Sequence, residues 1–388
     1  MKQERYIPTE DDIKKAEGMM TDEQKEASKI RAKYYEQAQP LWDNALWDNN
    51  FEKKYLDESF VRKTPEAKEI KEMDGWIAEL GEIFDGSGLN WHLDGALNIS
   101  LMNERKKNGE INYIGYHKDV DLSVEKNELP ELEAHLLKKG YGLFLSRTNA
   151  AGKNKIMRRV GYADFHDSPT DHVLIFAMDK NGQLVMDRPL YSFDVHIIER
   201  NEAGQALGNS GVVIPEKWAQ SYPIEVQGKQ INLSHPGKVL YYKLHQSRKY
   251  DTTDIERLIK IGKITEEDAA DVEKAFESEF SARAERVRTV FEAVAEQLAP
   301  GMNADQIFAV MLQQPELKKN AAQIEEILRT LAKIIHESGD MTAEGIIKEV
   351  TKLSGMEEVN NKMREEIERI RQLATETQKI QQVKEKIN

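Results

Sequence analysis

Residues Asp119–Val124 read Asp-Val-Asp-Leu-Ser-Val, and the fold turns on how this stretch is read. Polar and apolar side chains alternate with a period of two, the pattern of a half-buried β-strand. Residues two apart on a strand face the same way. Asp119 and Asp121 are therefore expected to project together, while Val120, Leu122 and Val124 enter a core. Two like charges side by side are costly unless a cation neutralises them, and oxygen-only donors suit Mg²⁺. A lone acidic pair of this kind is more often a solvated strand edge, so the flanking residues decide its meaning.

Upstream, Trp91-His92-Leu93 reads as a strand that turns through Asp94-Gly95-Ala96-Leu97 into a helix. A helix N-terminus offers unpaired amides to a phosphate. Asp94 is expected to cap that helix. Downstream, Leu132–Lys139 reads as a helix stopped by Gly140, and Asp179-Lys180-Asn181-Gly182 as a hairpin turn between two apolar runs. Phe193–Glu199 alternates again, with Asp194 and His196 on one face and Phe193, Val195 and Ile197 on the other. Asp187 competes with Asp194 as a third carboxylate, but Pro189 two residues on favours a turn there. Val226–Ile231 reads as a further hairpin. Strands interleaved with helices imply a mixed sheet with helices packed on it.

Helices flank this region on both sides. Before it, residues 1 to 84 read as polar helices, the last opened by Thr64-Pro65-Glu66 with Pro65 at the first helical position. That helix carries the stripe Ile70, Met73, Ile77, Leu80 and Ile83, and Asp85-Gly86-Ser87-Gly88 breaks it. After Pro236 the chain is helical to its end. Tyr241–Asp251 reads as one helix bearing cations, and Thr265-Glu266-Glu267-Asp268 as a capping box opening a long one. The final stretch, Met363–Ile387, places Ile367, Ile370, Leu373, Ile380 and Val383 on one side, with a heptad too short for a persuasive coiled coil.

The chain has 388 residues, and 55 Lys+Arg against 68 Asp+Glu give a net charge of −13. That balance argues against a protein that coats nucleic acid, which needs clustered cations. The compact cationic loop Lys153, Lys155, Arg158 and Arg159 is read chiefly as solvated surface. With no cysteine, disulfides, thiolate metal sites and cysteine nucleophiles are excluded. No apolar run is long enough to span a bilayer and the N-terminus has no signal-peptide core, so a cytoplasmic location is expected. Trp42, Trp47, Trp76 and Trp218 are read as packing residues, and a histidine beside a strand (His92, His117, His196 or His245) usually as structural.

Four spaced motifs resemble the DNA-polymerase-β-like nucleotidyltransferases, within them the lincosamide and aminoglycoside nucleotidyltransferases and the abortive-infection toxin enzymes. They are Leu93-Asp94-Gly95-Ala96, His117-Lys118-Asp119-Val120-Asp121-Leu122, Phe193-Asp194-Val195-His196, and Tyr242-Lys243-Leu244 with Arg248, Lys249, Asp251 and Asp254. Ala96 departs from the second glycine or serine usual in the group, and the segment Asn103–Tyr116 is long.

The resemblance implies an α+β fold: a nucleotidyltransferase core over 75–260, a helical N-terminal extension over 1–74 and a helical C-terminal domain over 261–388. It implies transfer of a nucleoside monophosphate from a nucleoside triphosphate to a hydroxyl acceptor. Asp119, Asp121 and Asp194 would hold one or two Mg²⁺, and Asp194 would also take the acceptor's proton. Gly95, Ala96 and Lys243 would bind the nucleotide, Lys243 through the β- and γ-phosphates. A small molecule or a protein is the favoured acceptor. The competing readings are a toxin-type enzyme acting on tRNA and a silent scaffold of the same fold.

Overall fold

The computed structural model describes residues 54–117, 119–148, 155–160, 172–180, 185, 193–208 and 211–387. Its strands are β1 (His92–Leu93), β2 (Val120–Glu125), β3 (Tyr141–Thr148), β4 (Lys155–Val160), β5 (His172–Ala177), β6 (Phe193–Arg200), β7 (Ala206–Leu207), β8 (Tyr222–Val226) and β9 (Lys229–Leu233). The helices are α1 (Ala67–Phe84), α2 (Gly95–Met102), α3 (Leu129–Lys139), α4 (Pro236–Gln246), α5 (Asp251–Lys260) and α6 (Glu266–Ala295). They continue with α7 (Ala304–Met311), α8 (Pro315–Lys319), α9 (Ala321–Ser338), α10 (Ala343–Ser354) and α11 (Met356–Ile387). The strand order is β4-β3-β5-β6-β2-β1-β9-β8. β2 runs parallel to β6 and β1 to β9, whereas β1–β2, β3–β4, β3–β5, β5–β6 and β8–β9 are antiparallel. The fold is α+β, a mixed sheet flanked by helices with a helical C-terminal region.

Two compact units divide the described residues: one runs to Glu199 and adds Lys217–His235 and Arg248–Arg257, the other holds Arg200–Glu216, Pro236–Ser247 and the chain from Leu258. In the first, the α1 stripe of Met73, Trp76, Ile77, Leu80 and Ile83 is buried in one cluster with Val120, Leu122 and Val124 of β2 and Leu129, Leu132 and Leu136 of α3. Pro65 is not the first helical residue. The helix begins at Ala67, because Glu66 is the cap and its amide donates to Glu69 Oε2 at 2.8 Å. α3 stops at Gly140, whose φ of 81° is left-handed. Gln227 and Gly228, at φ 52° and 72°, make the tight turn between β8 and β9.

In the second unit α6 is opened by reciprocal bonds, Asp268 N to Thr265 Oγ1 and Thr265 N to Asp268 Oδ2, both 3.0 Å. Its far end joins a separate core of Phe291, Val294, Ile307, Met311, Leu331 and Ile346. The stripe on α11 is buried only in part: Ile367 and Ile370 are covered, whereas Ile380 and Val383 are 56% and 55% exposed.

Two further expectations are corrected. The single helix over 241–251 is broken: α4 ends at Gln246, Ser247 takes φ 46°, and Asp251 opens α5 by accepting from the Arg248 amide at 2.9 Å. Lys155, Arg158 and Arg159 stand on β4 rather than on a loop. The turn residues Asn181 and Gly182, Asp187, Lys153, Trp42, Trp47 and the helices expected before residue 54 lie outside the described residues. Trp76 and Trp218 are buried. No described helix is long and apolar enough to cross a membrane.

Candidate metal centre

The register of two parallel strands builds the site. β2 and β6 pair Asp121 with Asp194 and Ser123 with His196. Neighbouring strands lie about 4.8 Å apart and alternate residues share a face, so Asp121, Asp194 and His196 meet on one side of the sheet. Their ligand atoms all lie within 4.8 Å of one another. Val120, Leu122, Phe193 and Val195 on the opposite face are buried in the core, which fixes the register. A one-residue slip would bury the carboxylates.

His196 Nε2 lies 3.7 Å from Asp121 Oδ1, with the imidazole 44% exposed and Asp121 31%. Desolvation pulls this imidazole down. The adjoining Asp121 and the charges of Asp194 and Asp94 outweigh it and raise its pKa to about 9. Asp119 sits one residue before β2, half-buried, outside that three-residue cluster. The loop leading to it is held from both ends. Ser100 Oγ accepts from the Ile114 amide at 3.1 Å and meets buried His117 Nε2 at 3.3 Å. Arg62 closes against Gly115 and donates to the Tyr116 carbonyl at 3.0 Å.

Gly95 begins α2 at φ 66°, a left-handed conformation that glycine adopts without strain. A Cβ there would collide with Asp121 Oδ2. Glycine therefore does two jobs: it turns the chain, and it leaves the carboxylate its space. Asp94 stands at the N-cap position as expected, with extended backbone, but its side chain makes no capping bond. Its amide donates to the Asp121 carbonyl at 2.7 Å, and its buried carboxylate accepts from the Ser123 and Ser234 hydroxyls. Those bonds tie β1, β2 and the end of β9 together beneath the site, which is the stronger claim on a buried acid. Ala96 is buried on the first turn of α2.

No protein-family model matches this chain, and no curated protein sequence matches it. By structure it is similar to an antigenic nucleotidyltransferase-like protein from Paracoccidioides brasiliensis, at 14% identity and a TM-score of 0.25, over 49% of this chain and 76% of that one. It is also similar to ANT(2")-Ia, solved in complex with adenylyl-2"-tobramycin, at 13% identity and a TM-score of 0.28, over 48% and 85% of the two chains. At these values the likeness assigns no residue a role.

Sequence reasoning did not foresee Arg62. It donates to both carboxylate oxygens of buried Asp254 at 2.8 and 3.0 Å and stacks on Tyr250, whose ring also faces the Arg248 guanidinium. No local pattern marks an arginine whose partner lies so far along the chain. Lys243 and His245 stand on α4 in the second unit. There Lys243 is buried, and His245 pairs with buried Glu279 at 2.8 Å. Two carboxylates and an imidazole converging beside a glycine that lets Asp121 pack against the backbone fit a divalent cation, which such donors bind and which relieves the repulsion between the carboxylates.

Proposed function

We propose that this chain transfers a nucleoside monophosphate from a nucleoside triphosphate to a hydroxyl acceptor. The observation carrying this reading is the register that pairs Asp121 with Asp194 beside the glycine opening α2. A divalent ion held by Asp121 and Asp194, with Asp119 alongside, would supply positive charge to the phosphate oxygens. Gly95 and Ala96 present amides at a helix N-terminus, a favourable place for the triphosphate. The acceptor oxygen bonds to the α-phosphorus, the α–β bridging bond breaks, pyrophosphate leaves, and the acceptor's proton passes to Asp194. Lys243 would neutralise the β- and γ-phosphates, the role implied by the resemblance of its motif. The three-part division at residues 75 and 261 belongs to the same proposal.

A small hydroxylated molecule or a protein side chain suits a chain of net charge −13 better than RNA does. The test is incubation of the full chain with each α-labelled triphosphate, Mg²⁺ and a lysate, in parallel with Asp121→Asn. Label should enter a small-molecule or protein fraction with the wild type alone, while circular dichroism of the variant is unchanged. Near-normal labelling by Asp121→Asn would sink the assignment, and label in the RNA fraction would overturn the acceptor.

A further inference from the structure

We propose that His196 is a nitrogen ligand of this centre, and that the centre therefore prefers a first-row transition ion, typified by Mn²⁺, to Mg²⁺. The inference rests on the reading of Asp121 and Asp194 as metal-holding carboxylates and goes beyond it in naming a donor and a class of ion.

Three features point the imidazole at the ion. His196 follows Asp194 by two residues on β6, so the pleat puts both on one face. Its ligand nitrogen lies within 4.8 Å of the ligand oxygens of both Asp121 and Asp194. The side chain is 44% exposed, which leaves it reachable from solvent. Of the neighbouring acids, Asp119 lies outside this cluster, and Asp94 is buried and accepts from two serine hydroxyls. The donors that converge are thus two oxygens and one nitrogen.

The chemistry of that set differs from an all-carboxylate one. Mg²⁺ is small and hard, keeps its waters and favours oxygen. Imidazole suits first-row transition ions better than it suits Mg²⁺, and among those ions Mn²⁺ also takes the carboxylate and water oxygens that suit Mg²⁺. The collision that any Cβ at residue 95 would make with Asp121 Oδ2 shows that glycine is what lets this carboxylate hold its place in the cluster.

The test uses the full-length chain stripped of metal, without nucleotide. Mn²⁺ is titrated in and followed by loss of its free electron-paramagnetic-resonance signal, with Mg²⁺ as competitor. The electron-spin-echo modulation of the bound ion then reports directly bonded nitrogen. The wild type should bind Mn²⁺ at least about tenfold tighter than Mg²⁺ and show a nitrogen coupling. His196→Gln should lose the coupling and about tenfold in Mn²⁺ affinity, with Mg²⁺ affinity nearly unchanged. Bound Mn²⁺ with no nitrogen coupling in the wild type overturns the inference and needs no variant. So does an unchanged Mn²⁺-to-Mg²⁺ ratio in His196→Gln. If binding survives Asp121→Asn, the carboxylate reading itself fails, which separates the two failures.

Discussion

Gly95 has little freedom to change. Alanine there meets two penalties at once, the left-handed φ of 66° and the collision with Asp121. Gly95→Ala should destabilise the fold by about 1–2 kcal/mol from the backbone alone. It should also weaken metal binding, because Asp121 has to move away from Asp194. Urea unfolding and Mn²⁺ titration of the variant measure the two effects separately. Unaltered metal affinity would show that the carboxylate has another way to face the ion. Tyr250 makes a different test, through pH. Burial pushes its phenol up to about 12, against the pull of Arg248 and Arg62. An unfolded phenol ionises near pH ~10. The folded pKa is the higher, so the contribution is complete below the unfolded value and is lost as pH rises through the folded one. Urea unfolding on either side of that window should show a smaller loss of stability in Tyr250→Phe than in the wild type.

Among the elements, Arg62 joins three that are remote in sequence: the approach to α1, the loop before Asp119, and α5. Arg62→Ala leaves Asp254, 1% exposed, without its guanidinium partner. Removing one member of such a buried pair costs about 3–5 kcal/mol. Thermal unfolding should register that loss, and Asp254→Asn in the same background should recover part of it. Most of the elements were legible in the sequence. The alternation of 119–124 and 193–199 and the stripe on α1 are direct imprints of burial, and Thr265–Asp268 and Gly140 are local capping signals. What stayed illegible depends on partners far along the chain. The Asp94 carboxylate reads as a capping acceptor until Ser123 and Ser234 are seen around it. Ser247 carries no breaker signature, yet the bond from Arg248 to Asp251 ends one helix and begins another. The pairing of Asp121 with Asp194 was foreseeable only through motif resemblance, because alternation gives a residue's face but not its neighbour.

For the molecule as a whole, the insertion of β6 between β5 and β2 has a temporal consequence. Asp121 and Asp194 become neighbours only when β6 pairs with β2 in parallel, and the residues between them must be closed into a loop first. Parallel pairings of this range come late, since their contacts arrive after the entropy of closure has been spent. The site is accordingly expected to form after the transition state for folding. If the site binds Mn²⁺, the ion at 100 times its Kd would stabilise the native chain by about 2.7 kcal/mol. That gain should appear almost wholly as slower unfolding, with the refolding rate unchanged. Stopped-flow rates with and without Mn²⁺ decide the matter, and faster refolding would mean that β6 docks early. A centre assembled last acts as a latch: it sets how long the chain stays folded and leaves alone how quickly it gets there.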